Sequence, residues 1–136
     1  MPKTIIVPVA LAQIDKAQSM LDVARQLGGE DGNIVLLTVI EDVPGYIAAE
    51  LPSGLLEKAA EDARGELRTL ARSAGMELAV EVRKGSPATA IIDVAAERKA
   101  DVIVIASHRP GFQDFFLGST AARVVRHAQC SVHVIR

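Results

Sequence analysis

Apolar and polar positions recur along this chain with two different periods. Nearly continuous apolar runs occupy residues 4–9, 34–40, 102–105 and 132–135. Such runs are typical of strands that are buried on both faces of a sheet. Between the runs, apolar residues recur every three or four positions, which places them on one face of a helix. This spacing predicts helices over residues 14–27, 55–74, 87–99 and 119–127.

Residues 76–83 show a strict alternation instead. The even-numbered positions are apolar, whereas Glu77, Glu81 and Arg83 occupy odd-numbered ones. This pattern predicts an edge strand with one face in the core and the other in solvent. With it, strands and helices alternate along the whole chain, which implies βαβ units, a largely parallel sheet and right-handed crossovers.

Turn and capping residues mark several element ends. Gly75 is expected to end the long helix, and Ser86 and Pro87 are expected to supply the N-cap and first position of the next one. The least regular segment, residues 41–52, contains Pro44 and Gly45. Because this segment follows the carboxyl end of a predicted strand, we expect it to form a lid over a site.

The length and the net charge of the chain exclude several classes of function. A chain of 136 residues is expected to form one domain, residues 1–136. The formal net charge of −2 and the pI near 5.9 give no electrostatic attraction to nucleic acid or to an anionic membrane. No apolar run approaches the roughly 20 residues of a membrane span, and no N-terminal segment resembles a secretion signal. We therefore expect a cytoplasmic protein.

The last third of the chain carries the strongest chemical signal. A buried strand over residues 102–105 is followed by a loop and then by a helix that opens with Gly118, Ser119 and Thr120. The first N–H groups of a helix have no partner within it, and the helix dipole is positive at that end. This arrangement favours an anion, and a phosphate group in particular.

Several short motifs, in order along the whole chain, resemble those of the universal stress protein family. They are Ile5-Ile6-Val7-Pro8-Val9, Gly85-Ser86-Pro87, Ser107-His108-Arg109-Pro110, Leu117-Gly118-Ser119 and the segment 125–136. The Ser-His-Arg-Pro loop and the Cys-Ser pair before the last strand are most similar to the branch of small F- and G-type members. The resemblance implies an α/β fold: an open, Rossmann-like, five-stranded parallel sheet in the order 3-2-1-4-5, with helices on both faces.

The resemblance also implies an adenine nucleotide as the ligand, either ATP or AMP, with or without Mg²⁺. In that strand order the chain reverses direction around strand 1, so a ligand is expected outside the carboxyl ends of strands 1 and 4. The expected nucleotide-binding residues are Pro8, Val9, Ala10, Val39, Ala106, His108, Arg109, Gly118, Ser119 and Thr120. No catalytic residue and no metal ligand is predicted.

The chain departs from the family's nucleotide pattern, which is Gly-x2-Gly-x9-Gly followed by Ser or Thr. Ala106 and Arg109 stand at the first two glycines, and only eight residues separate Arg109 from the matching Gly-Ser pair. Ala10 stands where nucleotide-binding members commonly carry Asp. Arg109 offers a planar, bidentate partner for phosphate. Adenine is then expected to contact backbone groups near Val39, under apolar cover from Val9 and Ala10.

Three functions are compatible with these residues. The first is a regulatory stress-response module that binds ATP or AMP and is not a metabolic enzyme. The second is a nucleotide-independent, dimeric interaction module that binds another protein through its loops and Phe112, Phe115 and Phe116. The third is a slow ATPase or self-phosphorylating protein with Ser119 or Thr120 close to the γ-phosphate.

The end of the chain bears on the oligomeric state. Residues 132–135 form a sheet edge with unpaired backbone groups, so a two-fold homodimer through this strand, or a tetramer built from such dimers, is expected. His133 is expected to face outward from the strand. Cys130, the single cysteine, excludes an intrachain disulfide and is expected to be a small buried apolar residue.

Overall fold

The structure is a computed structural model that describes residues 2–41, 44–107 and 117–136. Its strands are β1 (Thr4–Pro8), β2 (Asn33–Ile40), β3 (Ala79–Lys84), β4 (Val102–Ala106) and β5 (Ser131–Ile135). Its α-helices are α1 (Ala17–Gly28), α2 (Gly45–Ala48), α3 (Leu55–Ala74), α4 (Pro87–Glu97) and α5 (Ser119–His127). A 3₁₀ helix, Leu11–Lys16, connects β1 to α1.

The strands form one parallel sheet in the order β3-β2-β1-β4-β5. This confirms the predicted fold class and the predicted strand order. The chain first moves from β1 outward to β3, then returns to the other side of β1 and continues to β5. The change of direction therefore occurs beside β1, between β1 and β4.

Both faces of the sheet are covered, which explains why the strands read as unbroken apolar runs. Ile5 and Val7 of β1 face α1 and α3, whereas Ile6 between them faces α4 and α5, and all three side chains are fully buried. Successive residues of a strand point to opposite faces, so a strand with helices on both faces is apolar at nearly every position. Thr38 of β2 is polar and buried, and its hydroxyl is hydrogen-bonded. The buried helical residues are Ala17, Met20, Leu21 and Ala24 of α1, Ala63, Leu67 and Ala71 of α3, Ala88, Ala90, Ile91, Val94 and Ala95 of α4, and Ala121 and Val124 of α5.

Several predicted boundaries differ from the structure for local reasons. The helix predicted from residue 14 begins at Ala17, because the 3₁₀ helix before it has a non-helical Gln13 at φ −128° and ψ 40°. The helix predicted to reach residue 99 ends at Glu97, and Lys99 has a positive φ of 53°, which an α-helix cannot accommodate. Ser86 occupies the predicted N-cap position, but its hydroxyl makes no capping hydrogen bond.

The second face of β3 is less exposed than its alternating pattern predicts. The side chains of Val80 and Val82 pack on the core as expected. On the opposite face, Arg83 donates to both carboxylate oxygens of Glu97 at 2.9 and 3.1 Å, and Arg98 donates to Glu81 at 2.9 Å. Arg83 also pairs with Glu81, whose side chain is only 15% exposed. The end of α4 thus covers charges that the sequence pattern assigns to solvent.

These ion pairs alter the ionisation of their members. The Arg83 guanidinium, through its hydrogen bonds, holds the pKa of Glu97 below the ordinary value of 4.5. The carboxylates of Glu97 and Glu81 in turn raise the pKa of Arg83. Because the pKa of Glu97 is lower in the folded state, its contribution to stability is present above pH 4.5 and is lost as the pH falls through the lowered value.

We expect Glu97→Gln to lower the melting temperature at pH 7, because Gln cannot accept a charged, bidentate pair from Arg83. The difference between the variant and the parent protein should shrink below pH 4.5 and disappear once the pH lies below the lowered folded-state pKa, where Glu97 is protonated in both states. Thermal unfolding followed by circular dichroism between pH 3 and 7 measures this. Glu66→Gln, at an exposed position of α3, is the control and should leave the melting temperature unchanged. A deficit for Glu97→Gln that is independent of pH would contradict the assignment.

Candidate functional site

A cleft of ≈390 Å³ lies at the carboxyl edge of the sheet. The segments that follow β1, β2 and β4 form its walls, together with the first turns of α4 and α5. Every described residue of the predicted nucleotide-binding set lines it: Pro8, Val9, Ala10, Val39, Ala106, Gly118, Ser119 and Thr120. His108 and Arg109, the other two members of that set, lie outside the described residues.

Pro8 explains why the sheet opens at this place. β1 pairs with β4 only at Ile5–Val102 and Ile6–Ile103. The Val9 N–H donates to the Leu37 carbonyl of β2 at 2.7 Å, so the preceding nitrogen, that of Pro8, points the other way, toward β4. Proline has no N–H to donate there. The ladder between β1 and β4 therefore cannot continue through Pro8, and the two strands separate into the walls of the cleft.

A buried hydrogen bond fixes the chain on the other side of β1. The Thr38 hydroxyl donates to the Val9 carbonyl at 2.8 Å, and Thr38 is only 4% exposed. Val9 is thus tied to β2 through both its N–H and its carbonyl. The cleft wall that follows β1 is consequently fixed against β2 just before Ala10.

Val39 presents a free backbone donor and acceptor toward the cleft. The Leu37 carbonyl points toward β1, where it accepts from Val9, and the Ile40 carbonyl points toward β3, where it accepts from Gly85 at 2.9 Å. Groups along a strand alternate in direction, so the N–H and carbonyl of Val39 point toward the β1 side. Within the described chain, no backbone hydrogen bond joins Val39 to Val9, Ala10 or Leu11 there. The pair is suited to a flat ligand that carries an acceptor beside a donor.

The first turn of α5 supplies the second recognition element. Gly118 is the N-cap residue and makes no side-chain capping hydrogen bond, because glycine has no side chain. The Gly118 N–H donates to the carbonyl of Ser107, and the Gly118 carbonyl accepts from Ala122 at 2.9 Å. The N–H groups that follow Gly118 remain at the positive end of the helix, in the wall of the cleft.

Two parts of the cleft were not predicted from the sequence. Ser107 is 1% exposed and joins the end of β4 to β5, because its N–H donates to the Ile135 carbonyl at 2.9 Å. Lys16, at the end of the 3₁₀ helix, and Glu41, directly after β2, are the charged residues among the described lining residues. Sequence spacing did not indicate Lys16, because the apolar periodicity treats residues 14–27 as one helix whose charged positions face solvent. Glu41 lies at the start of the predicted lid but was not among the predicted nucleotide-binding residues.

Other predicted features lie near the cleft or outside the described chain. In the predicted lid, residues 41–52, Glu41 lines the cleft, whereas the short helix α2 does not and its Tyr46 is 76% exposed. The phenylalanines at 112, 115 and 116 lie outside the described residues. In the described part of the chain, no group of three or more His, Cys, Asp or Glu residues is placed to hold a metal ion. No helix in that part is long and apolar enough to cross a membrane.

The residues around β5 agree in part with expectation. His133 is exposed, as predicted, whereas Val132 and Val134 pack on the core. Cys130 is half-buried rather than fully buried, and burial raises the pKa of its thiol. A thiol with a raised pKa is less reactive near neutral pH, which is consistent with a packing role for Cys130.

Comparison with known proteins identifies the relatives of the chain. Residues 1–136 match the model of the universal stress protein family. Universal stress protein G of Salmonella typhimurium is 32% identical over 145 residues, which cover 100% of both chains. The solved structure of universal stress protein UspA from Lactobacillus plantarum is 27% identical and has a TM-score of 0.76, over 98% of this chain and 97% of that one.

Two further solved structures of similar fold hold adenine nucleotides. A universal stress protein in complex with cAMP has a TM-score of 0.69 at 18% identity, over 99% of this chain and 97% of that chain. The universal stress protein from Archaeoglobus fulgidus in complex with dAMP has a TM-score of 0.65 at 23% identity, over 98% of each chain. At these identities the likeness establishes the fold of this chain and not its ligand.

The hydrogen bond between Thr38 and Val9 can be tested directly. Thr38→Val keeps the shape of the side chain but leaves the buried Val9 carbonyl without its hydroxyl donor. We expect the free energy of unfolding to fall by about 1–3 kcal/mol, measured by urea denaturation. Thr69→Val is the matched control, since the Thr69 hydroxyl also bonds a backbone carbonyl, that of Gly65, but is exposed. Its effect should stay within about 0.5 kcal/mol, and equal losses in the two variants would contradict the special role of Thr38.

Proposed function

Because this chain belongs to the universal stress protein family, we propose that its cleft binds an adenine nucleotide, AMP or ATP, and that the protein is a regulatory module in a stress response. The observation that carries this proposal is the pairing of two recognition elements in one cleft. The free backbone pair of Val39 suits a base, and the uncapped first turn of α5 suits a phosphate. The cleft volume of ≈390 Å³ lies within the range of small-molecule sites.

Adenine fits the Val39 side of the cleft. Its N1 is an acceptor and its N6 amino group is a donor, and the two are neighbours on one edge of the ring. The Val39 N–H and carbonyl are their complements. Val9 and Ala10 line the same cleft and offer apolar surface to the ring. Because this recognition uses main-chain groups, it does not need a polar side chain at position 10.

The phosphate is proposed to lie against Ala106, Gly118, Ser119 and Thr120, all of which line the cleft. Backbone N–H groups and the helix dipole attract the anion there. His108 and Arg109 remain proposed as additional phosphate ligands. Universal stress proteins of similar fold that bind cAMP and dAMP support this class of ligand.

Regulation would follow from ordering of the loops that border the cleft. A nucleotide that contacts Ala106 and Glu41 at the loop ends would favour one arrangement of segments 41–52 and 106–117 over others. The free energy available for such a shift equals the difference between the nucleotide's affinities for the two arrangements. A protein partner that binds only one of these loop arrangements would then bind more tightly or more weakly when nucleotide is present.

The first test of the proposal is direct binding. Native mass spectrometry of freshly purified protein, followed by acid release of any ligand, should reveal an adenine nucleotide, and isothermal titration calorimetry should show AMP or ATP binding. Ala10→Phe should weaken the binding of AMP by at least about tenfold, or ~1.4 kcal/mol, because the introduced phenyl ring would fill part of the cleft. Ala79→Phe, at an exposed position on β3, is the control and should bind as the parent does.

Two results would count against this function. Equal binding by Ala10→Phe and the parent, with both folded, would move the nucleotide to another site. If the purified protein carries no nucleotide and binds neither added AMP nor added ATP, the nucleotide-independent interaction module is favoured.

We also propose a homodimer through β5. β5 is an end strand of the sheet, and its Ile135 carbonyl accepts from the N–H of Ser107, which directly follows β4. The backbone groups of Val132 and Val134 therefore point away from β4, toward the open edge. A second copy related by two-fold symmetry can satisfy these groups.

The direction of the Val134 N–H gives a sharp test of this dimer. Val134→Pro removes a donor at the open edge without removing a hydrogen bond to β4, so we expect a folded monomer. Size-exclusion chromatography with light scattering measures the mass, and circular dichroism checks the fold. Val134→Ala, which keeps the N–H, should remain dimeric. A folded dimer of Val134→Pro would place the interface elsewhere.

A further inference from the structure

We propose that Lys16 binds the phosphate of the ligand and makes the cleft selective for nucleotides over nucleosides. The inference rests on the proposed function and adds a residue and a specificity to it. Lys16 lies on the 3₁₀ helix that follows β1 and belongs to no motif identified from the sequence. Three observations support the inference: the position of Lys16 in the cleft wall, its lack of an ion-pair partner among the described residues, and the distribution of charge around the cleft.

The position of Lys16 follows from helix geometry. Lys16 directly precedes α1, and Met20 lies one helical turn further along. Residues four apart share one face of a helix, and both of these line the cleft. Met20 is 3% exposed, whereas Lys16 is half-buried. The Lys16 side chain is thus anchored beside the apolar wall of the cleft, with a flexible four-carbon stem that carries its ammonium group.

Lys16 stands where two helices meet. It is the basic residue in the last turn of the 3₁₀ helix, whose end favours a cation. Lys16 is the N-cap residue of α1 and makes no side-chain capping hydrogen bond. Helix N-termini favour Ser, Thr, Asp or Asn at this position, and the helix dipole disfavours a cation there. Within the described residues, no ion pair joins Lys16 to Asp15 or Glu41. Because no described acidic side chain pairs with it, the Lys16 ammonium is available to an anionic ligand.

The charged residues around the cleft favour one orientation of a bound nucleotide. Lys16 is the cation among the described lining residues, and Glu41 is the anion. Glu41 follows β2, two residues beyond Val39, so it disfavours a phosphate at that end. The positive end of α5 lies in the wall that follows β4 and favours a phosphate there, and the proposed contact with the Lys16 ammonium would add to this attraction. The base is therefore directed to Val39, where the Glu41 carboxylate is compatible with the amino group of adenine.

The experiment compares AMP with adenosine, which differ only in the phosphate. Isothermal titration calorimetry on the full chain should show that Lys16→Met weakens AMP by about ten- to a hundredfold, the range of a hydrogen bond to a charged group. Adenosine should bind the variant and the parent equally. Lys16→Arg should recover most of the AMP affinity. Lys58→Met, at an exposed position on α3 outside the cleft, is the control and should change neither ligand.

The outcomes separate this inference from the function beneath it. If the parent binds AMP and Lys16→Met binds it equally well, the role of Lys16 is overturned and the nucleotide site stands. If Lys16→Met weakens adenosine as much as AMP, the lysine shapes the cleft and does not contact phosphate, which also overturns the inference. If the parent binds neither ligand, the proposed function fails and the inference fails with it. The melting temperature of each variant confirms that it is folded.

Discussion

The structure depends on one constraint, the burial of both faces of a parallel sheet. Each strand must present apolar side chains on both sides, and each crossover must place its helix on one face with the right-handed sense. α1 and α3 cover one face, and α4 and α5 cover the other. To cover both faces, the chain winds outward from β1 in one direction and returns to wind in the other. A gap beside β1 is the geometric consequence, and the missing N–H of Pro8 holds it open.

This constraint explains which parts of the fold are predictable from sequence. A strand buried on both faces is apolar at nearly every position, so the runs in β1, β2 and β4 are visible at once. The helices are visible because each one buries a single stripe. By contrast, Ile14 has the spacing of a helical core residue, yet it lies in the 3₁₀ helix and is 39% exposed. Periodicity reports spacing along the chain, and it does not distinguish an α-helix from a tighter turn before it.

The same distinction applies to charges and caps. Glu81 and Arg83 alternate with apolar residues as solvent-facing residues do, but the end of α4 approaches that face and pairs with them. Nothing local to β3 contains this information, because Glu97 and Arg98 are distant in sequence. Ser86 has the residue type of an N-cap and occupies the N-cap position, yet its hydroxyl makes no capping bond. Residue type predicts what a side chain can do, and the tertiary structure decides whether it does so.

The residues of the candidate site also differ in whether the sequence alone predicts them. Val39 and the Gly118–Thr120 turn were predictable, because they use backbone groups whose directions follow from a strand end and a helix start. Lys16 was not predictable, because its importance depends on which face of α1 turns toward the cleft. A site that recognises its ligand mainly through the backbone tolerates substitutions such as those at Ala10 and Ala106, since neither change removes a main-chain donor or acceptor. What such a site lacks is charge, and a flexible lysine at its rim can supply charge without the glycine-rich loop that close backbone approach requires.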